Sequence, residues 1–261
     1  MTIDGDREAA LSQSDIVKIL RICMPDGLLV GGQALAFWAD SLSVERPAEL
    51  ISEITSDADF IGDASLARKL GQQLGWKTWI PALDDATSQT GKVTHRLANG
   101  KVKQVDFLSG VVGLTTKDLL RRAVELEVPE IGVLRVLHPI DVLDSRIQNL
   151  HSLPGKRNAA GRAQAALATD VVRAYIRVEI ETRGERAALK LLERVVEIAG
   201  DISAIKVFLL YAIDPLNAVP VESFTMTPSL HSTRWPQLTT LINQKRGSQR
   251  KLLLNRHKSA K

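Results

Sequence analysis

The chain has 261 residues, 44% hydrophobic and 25% charged, with a formal net charge of +4 and one cysteine. That length buries a sizeable core without cross-links, and a single thiol excludes an internal disulfide framework, so a reducing, cytoplasmic setting is expected. The start, Met1-Thr2-Ile3-Asp4-Gly5-Asp6-Arg7-Glu8, is acidic where a secretory leader is basic and then apolar. The most apolar run, Val207 to Ile213, falls far below the roughly 18 to 20 residues of a span, so no membrane partner is expected.

In chain order, Ser14-Asp15 ahead of Ile16 to Ile22 predicts an N-capped helix that ends at Pro25-Asp26-Gly27. A short buried strand follows over Leu28 to Val30, then a Gly31-Gly32 turn into a helix over Gln33 to Ala39. The stretch Ser56-Asp57-Ala58-Asp59-Phe60 reads as a strand, and Leu66, Leu70 and Leu74 mark a helix over about 65–74. Lys77 to Ile80 is a further short strand. Asn99-Gly100 between Val93 to Leu97 and Val102 to Asp106 signals a hairpin, which puts Asp106 on a strand of its own. A helix begins after Thr115-Thr116, a last strand covers Val133 to Leu137, and from there the pattern is helical, with a break at Arg183-Gly184.

The reading is therefore an α+β fold: a mixed sheet flanked by helices over 1–140, a helical domain over 141–244, and a basic tail over 245–261. Lys245, Arg246, Arg250, Lys251, Arg256, Lys258 and Lys261 place seven positive charges and no acid in that tail, a composition suited to nucleic-acid phosphates or to a solvated terminus.

The sharpest chemical signal is Asp57-x-Asp59. Side chains at i and i+2 of a strand share a face, about 6 to 7 Å apart along the backbone, so the two carboxylates lean toward one spot. Transfer from a nucleoside triphosphate needs phosphate charge neutralised and an attacking oxygen held in line. Hard divalent ions on carboxylates serve both needs, Mg²⁺ above all, as one ion or two. Asp57 and Asp59 would bridge ions to the triphosphate, and Asp106 would hold the ion that activates the incoming hydroxyl. Gly31 and Gly32 let the N–H groups of a helix start approach phosphate closely. Ser56 is adjacent to the acids and is a candidate hydrogen-bonding group.

These residues resemble the nucleotidyltransferase superfamily typified by DNA polymerase beta. Val30-Gly31-Gly32-Gln33-Ala34-Leu35, Ser56-Asp57-Ala58-Asp59-Phe60 and Val105-Asp106-Phe107 match its glycine turn, paired acids and later third acid. Within it, the closest resemblance is to the AbiEii-like toxins of abortive-infection toxin–antitoxin systems, through the segment Val136-Leu137-His138-Pro139-Ile140-Asp141-Val142-Leu143-Asp144-Ser145-Arg146. The likeness covers roughly residues 20 to 150. It implies a nucleotidyltransferase-type fold, nucleoside triphosphate as donor, an RNA end such as tRNA as acceptor, a cognate antitoxin as partner, and contact of position 146 with the triphosphate. Three departures stand out: residues about 41–50 are an insertion, Arg146 replaces a lysine, and Gly32 replaces a serine found in many members. The same residues also fit a degenerate module that binds nucleotide or RNA without turnover, or a transferase acting on a small molecule or a protein.

The remaining candidates read as structural. His95, His138, His151, His231 and His257 lack zinc-site spacing, and Cys23 suits a core. The four tryptophans are too dispersed in sequence for a stacking platform, and the loop Pro154-Gly155-Lys156-Arg157-Asn158 reads as solvated.

Overall fold

The computed structural model describes residues 9–47, 50 and 57–259, the last four by backbone alone. The chain divides into two compact units. The first runs to Val142 apart from Leu42–Val44, and the second takes those three residues and everything from Leu143.

The first unit opens with α1 (Gln13–Cys23). Its cap is Ser12 rather than the expected Ser14: the Ser12 hydroxyl accepts from the Asp15 N–H at 3.2 Å, while the Asp15 carboxylate accepts from the Ser12 N–H at 2.9 Å. This reciprocal box satisfies two helix-end donors at once, which a cap at Ser14 does not. Then follow β1 (Leu28–Val30), α2 (Gly31–Ser41), β2 (Asp57–Ile61), α3 (Ala64–Leu74), β3 (Lys77–Trp79), β4 (Gln89–Arg96), β5 (Val102–Leu108), α4 (Thr116–Arg122), β6 (Val124–Val128), β7 (Gly132–Val136) and α5 (Pro139–Ser152). The unit boundary falls inside α5.

The seven strands lie in the order β3-β4-β5-β2-β1-β7-β6. Pairs β2/β5 and β1/β7 are parallel and the rest antiparallel, so the sheet is mixed. The hairpin at Asn99-Gly100 forms as expected. Gly100 has φ +80° and the Asn99 side chain accepts from the Lys101 N–H at 3.0 Å, a turn chemistry that glycine and asparagine favour. Phe60, Val93, Val105 and Phe107 are fully buried on the face packed by helices, where Leu66 of α3 meets Phe107 across Gly62. Cys23 is completely buried, and that burial pushes its thiol pKa up to about 12.

The second unit is helical: the end of α5, then α6 (Ala159–Arg183), α7 (Glu185–Gly200), α8 (Ile202–Tyr211) and α9 (Trp235–Ser259). Gly184, at φ +82°, separates α6 from α7. Val171, Ile176, Leu192 and Val195 form part of its fully buried core. The loop at Pro154 to Asn158 is a cap: Arg157 donates to the Leu150 carbonyl at 3.1 Å and to the His151 carbonyl at 2.5 Å, covering the end of α5. The stretch expected as a basic tail continues α9 as helix to Ser259, and Arg246 within it is buried. Among the described residues no single helix is long and apolar enough to cross a membrane. The segments Ile202–Tyr211 and Pro215–Ser223 reach that composition only as a pair bent by 97°.

Candidate metal centre

Sheet register assembles the site. Asp59 lies opposite Val30 of β1 on one side and opposite Asp106 of β5 on the other, while Asp57 lies opposite Gln104. Opposed residues of a ladder share a face, as do i and i+2 on one strand. All three acids therefore project to one side of the sheet, with a carboxylate oxygen of each within 4.8 Å of the others. At that spacing and an effective dielectric near 20, two ionised carboxylates repel by about 3.5 kcal/mol.

The oxygen spacing suits the donor set of a hard cation. Oxygens sharing Mg²⁺ at about 2.1 Å lie up to about 4 Å apart, and those sharing Ca²⁺ up to about 5 Å, so little side-chain adjustment separates either geometry from the one observed. Oxygen ligands alone, with no sulfur or imidazole, favour such ions over zinc or copper.

Asp106 is the most buried of the three, at 7% exposure. Its Oδ1 accepts from the Gln89 amide at 2.9 Å and lies 3.7 Å from Lys92 Nζ, and its Oδ2 accepts from the Gln104 amide at 2.5 Å. Burial lifts its pKa above the ordinary carboxylate value. The Gln104 hydrogen bond and the Lys92 charge pull it down again, and the Asp57 charge adds to the rise.

The glycine turn belongs to the same structure. Gly31 has φ +68°, and a Cβ there would sit 2.0 Å from Asp59 Oδ2. Both the backbone conformation and the approach of the acid require glycine. Gly32 is the second residue of α2 and is half-buried. The structure thus brings Asp57, Asp59, Asp106 and Gly31 together. Ser56 lies outside the described residues. Arg146 belongs to the helical unit, is 7% exposed and donates from Nη1 to Gln164 Oε1 at 2.9 Å.

Gln89, Lys92 and Gln104 were not singled out from sequence. Gln104 carried a signal, being two residues before Asp106 on the same strand face, whereas Gln89 and Lys92 enter only through the β4/β5 pairing. His138 Nδ1 accepts from the Ile140 N–H at 3.1 Å, His231 Nε2 contacts the Phe224 carbonyl at 2.6 Å, and His95 stacks on Trp76 with ring centroids 5.3 Å apart. These histidines hold local structure.

No family model matches the chain, and no curated protein matches it. Among solved structures, the crystal structure of JHP933 from Helicobacter pylori is similar over 90% of this chain and 100% of that one, at 12% identity and a TM-score of 0.38, a likeness too low to carry an argument.

Proposed function

We propose that the chain is a Mg²⁺-dependent nucleotidyltransferase of the polymerase-beta type, resembling the AbiEii-like branch, that moves a nucleoside monophosphate from a triphosphate to an acceptor hydroxyl. The observation that carries this reading is the convergence of Asp57, Asp59 and Asp106 within 4.8 Å on one sheet face, interlocked with the Gly31 turn. Bound Mg²⁺ would supply charge neutralisation on the phosphates and acidify the acceptor hydroxyl.

The chain's own residues do the rest. Asp57, Asp59 and Asp106 would hold the ion, Asp106 would also orient the acceptor end, and Gln89 and Gln104 fix the Asp106 carboxylate in place. The N-terminus of α2, whose first two residues are Gly31 and Gly32, would offer N–H groups to the phosphates. The acceptor oxygen forms a bond to the α-phosphorus as the α–β phosphoanhydride bond breaks. Pyrophosphate leaves, and the acceptor proton passes to the carboxylates and on to solvent.

A second reading draws on Asp106 itself: both of its oxygens already accept amide hydrogen bonds, as in a module that holds nucleotide or RNA without turnover. Incubation with each labelled triphosphate, Mg²⁺ and total RNA decides between them. Label on an acceptor that is lost in Asp59→Ala, with a rate reduced by about a thousandfold or more, supports transfer. Thermal stabilisation by triphosphate with no product, or label unaffected by Asp59→Ala, overturns it.

A further inference from the structure

The register that gathers the acids also extends past them. Asp59 of β2 pairs with Asp106 of β5, Asp106 with Lys92 of β4, and Lys92 with Trp79 of the edge strand β3. Two residues along, a parallel row holds Asp57, Gln104, Thr94 and Lys77. Opposed residues share a face, so both rows run from the carboxylates to the sheet edge on the side away from Phe107 and Val93. At about 4.8 Å per strand, Trp79 lies about 10 Å across the sheet from Asp106.

The composition of this strip is specific. Trp79 is 41% exposed and the Lys92 side chain 31% exposed, and Lys77 is exposed. An indole left in water forgoes a large apolar burial, the more so when Trp76, three residues earlier, is stacked on His95. The acids that follow belong to the next turn, where Asp85 accepts from the Ala82 N–H at 2.8 Å. One open aromatic among lysines and a threonine does not resemble a protein-docking patch, which needs a contiguous apolar centre. It resembles the surfaces on which cations track a phosphate backbone while a ring stacks on a base.

We propose that this strip binds the single-stranded end of a nucleic-acid acceptor, with its terminal hydroxyl at the carboxylates, its nearest phosphates on Lys92 and Lys77, and a base stacked on Trp79. The distance from Asp106 to Trp79 spans about three nucleotides at 3.4 Å per stacked step, and fewer when the strand is drawn out. A duplex is excluded from this arrangement because its bases are already stacked on each other and offer no free ring face. The role given to the terminal hydroxyl rests on the transfer reading above, and the binding itself does not.

The test is fluorescence anisotropy with a labelled single-stranded RNA of about 12 nucleotides, within the usual site sizes of such surfaces, run in EDTA without triphosphate. Trp79→Ala should weaken binding about tenfold or more, and Trp79→Phe should restore most of it. Lys77→Gln should lower the slope of log affinity against log salt by about 0.7, the contribution of one single-strand phosphate. Equal binding by wild type and Trp79→Ala, no measurable binding by wild type, or equal affinity for a duplex of the same sequence would each overturn the proposal. The transfer assay is judged separately. Trp79-sensitive binding with no labelled product leaves the binding strip and removes the chemistry, while labelled product with Trp79-insensitive binding does the reverse.

Discussion

Charge is gathered under cover in both units, to opposite effect. In the helical unit Arg246 donates to Asp214 Oδ1 at 2.5 Å and Oδ2 at 2.9 Å, with the guanidinium carbon 3.8 Å from the Phe208 ring centroid; the two side chains are only 8% and 15% exposed. Opposite charges, a two-pronged hydrogen bond and an aromatic face close that cluster on itself. In the sheet unit, carboxylate oxygens of three aspartates converge within 4.8 Å of one another, and Lys92 Nζ lies 3.7 Å from Asp106 Oδ1. The first arrangement pairs opposite charges, whereas the second brings carboxylates of one sign close enough to share a cation. What sets the candidate site apart here is the gathering of like charges, not the depth of burial.

Breaking the balanced cluster should cost most. Asp214→Ala leaves the buried guanidinium without its carboxylate and should lower unfolding free energy by about 3 to 5 kcal/mol in urea titration, while Asp214→Leu combined with Arg246→Met recovers most of that loss. A double variant as unstable as the single would show that packing, not charge, holds the cluster. Next comes the turn. Gly31→Ala combines a left-handed backbone with overlap on Asp59 and should cost about 3 kcal/mol, whereas Gly75→Ala, at φ +66° with nothing within 4 Å, should cost only about 1 kcal/mol. Equal losses at the two glycines would separate the turn from the acid.

Smallest, and opposite in sign, is removal of a charge from the cluster of aspartates. Asp59→Asn should stabilise the fold in EDTA by about 1 kcal/mol, raising the melting temperature by about 2 to 4 °C, because it relieves repulsion at a half-buried position. On the proposed function, Mg²⁺ should raise the melting temperature of the natural chain, and Asp59→Asn should abolish that rise. A drop in stability on this substitution would show the three acids to be neutralised already, like Arg246 and Asp214.

Much of this contrast was legible before folding, for reasons that are local. Asp57 and Asp59 share a face through the two-residue period alone, and Asn99-Gly100 places Asp106 on the next strand without knowledge of the rest. Trp79 and Lys92 were not legible as partners. Their alignment passes through the long connection from Ile80 to Ser88, whose length sets no register. Strand β6 went unread although Val124-Glu125-Leu126-Glu127-Val128 alternates cleanly, because glutamate disfavours strands and the run lies against a helix. The paired β7 residues supply what local preference lacks. Arg246 read as one cation of a loose basic tail because charge runs usually are solvated. What the linear pattern concealed was Asp214, thirty-two positions away, waiting inside the helical unit.

Strand β2 is gripped antiparallel by β1 on one side and parallel by β5 on the other. A slip of one position would exchange Asp57 and Asp59 for Ala58 and Phe60, thrusting two carboxylates among the phenylalanines and leaving an aromatic ring in water. Misalignment of this strand is thus self-eliminating: the slipped chain loses its apolar interior in the same step as its gathering of acids, so the error removes the fold that would carry it.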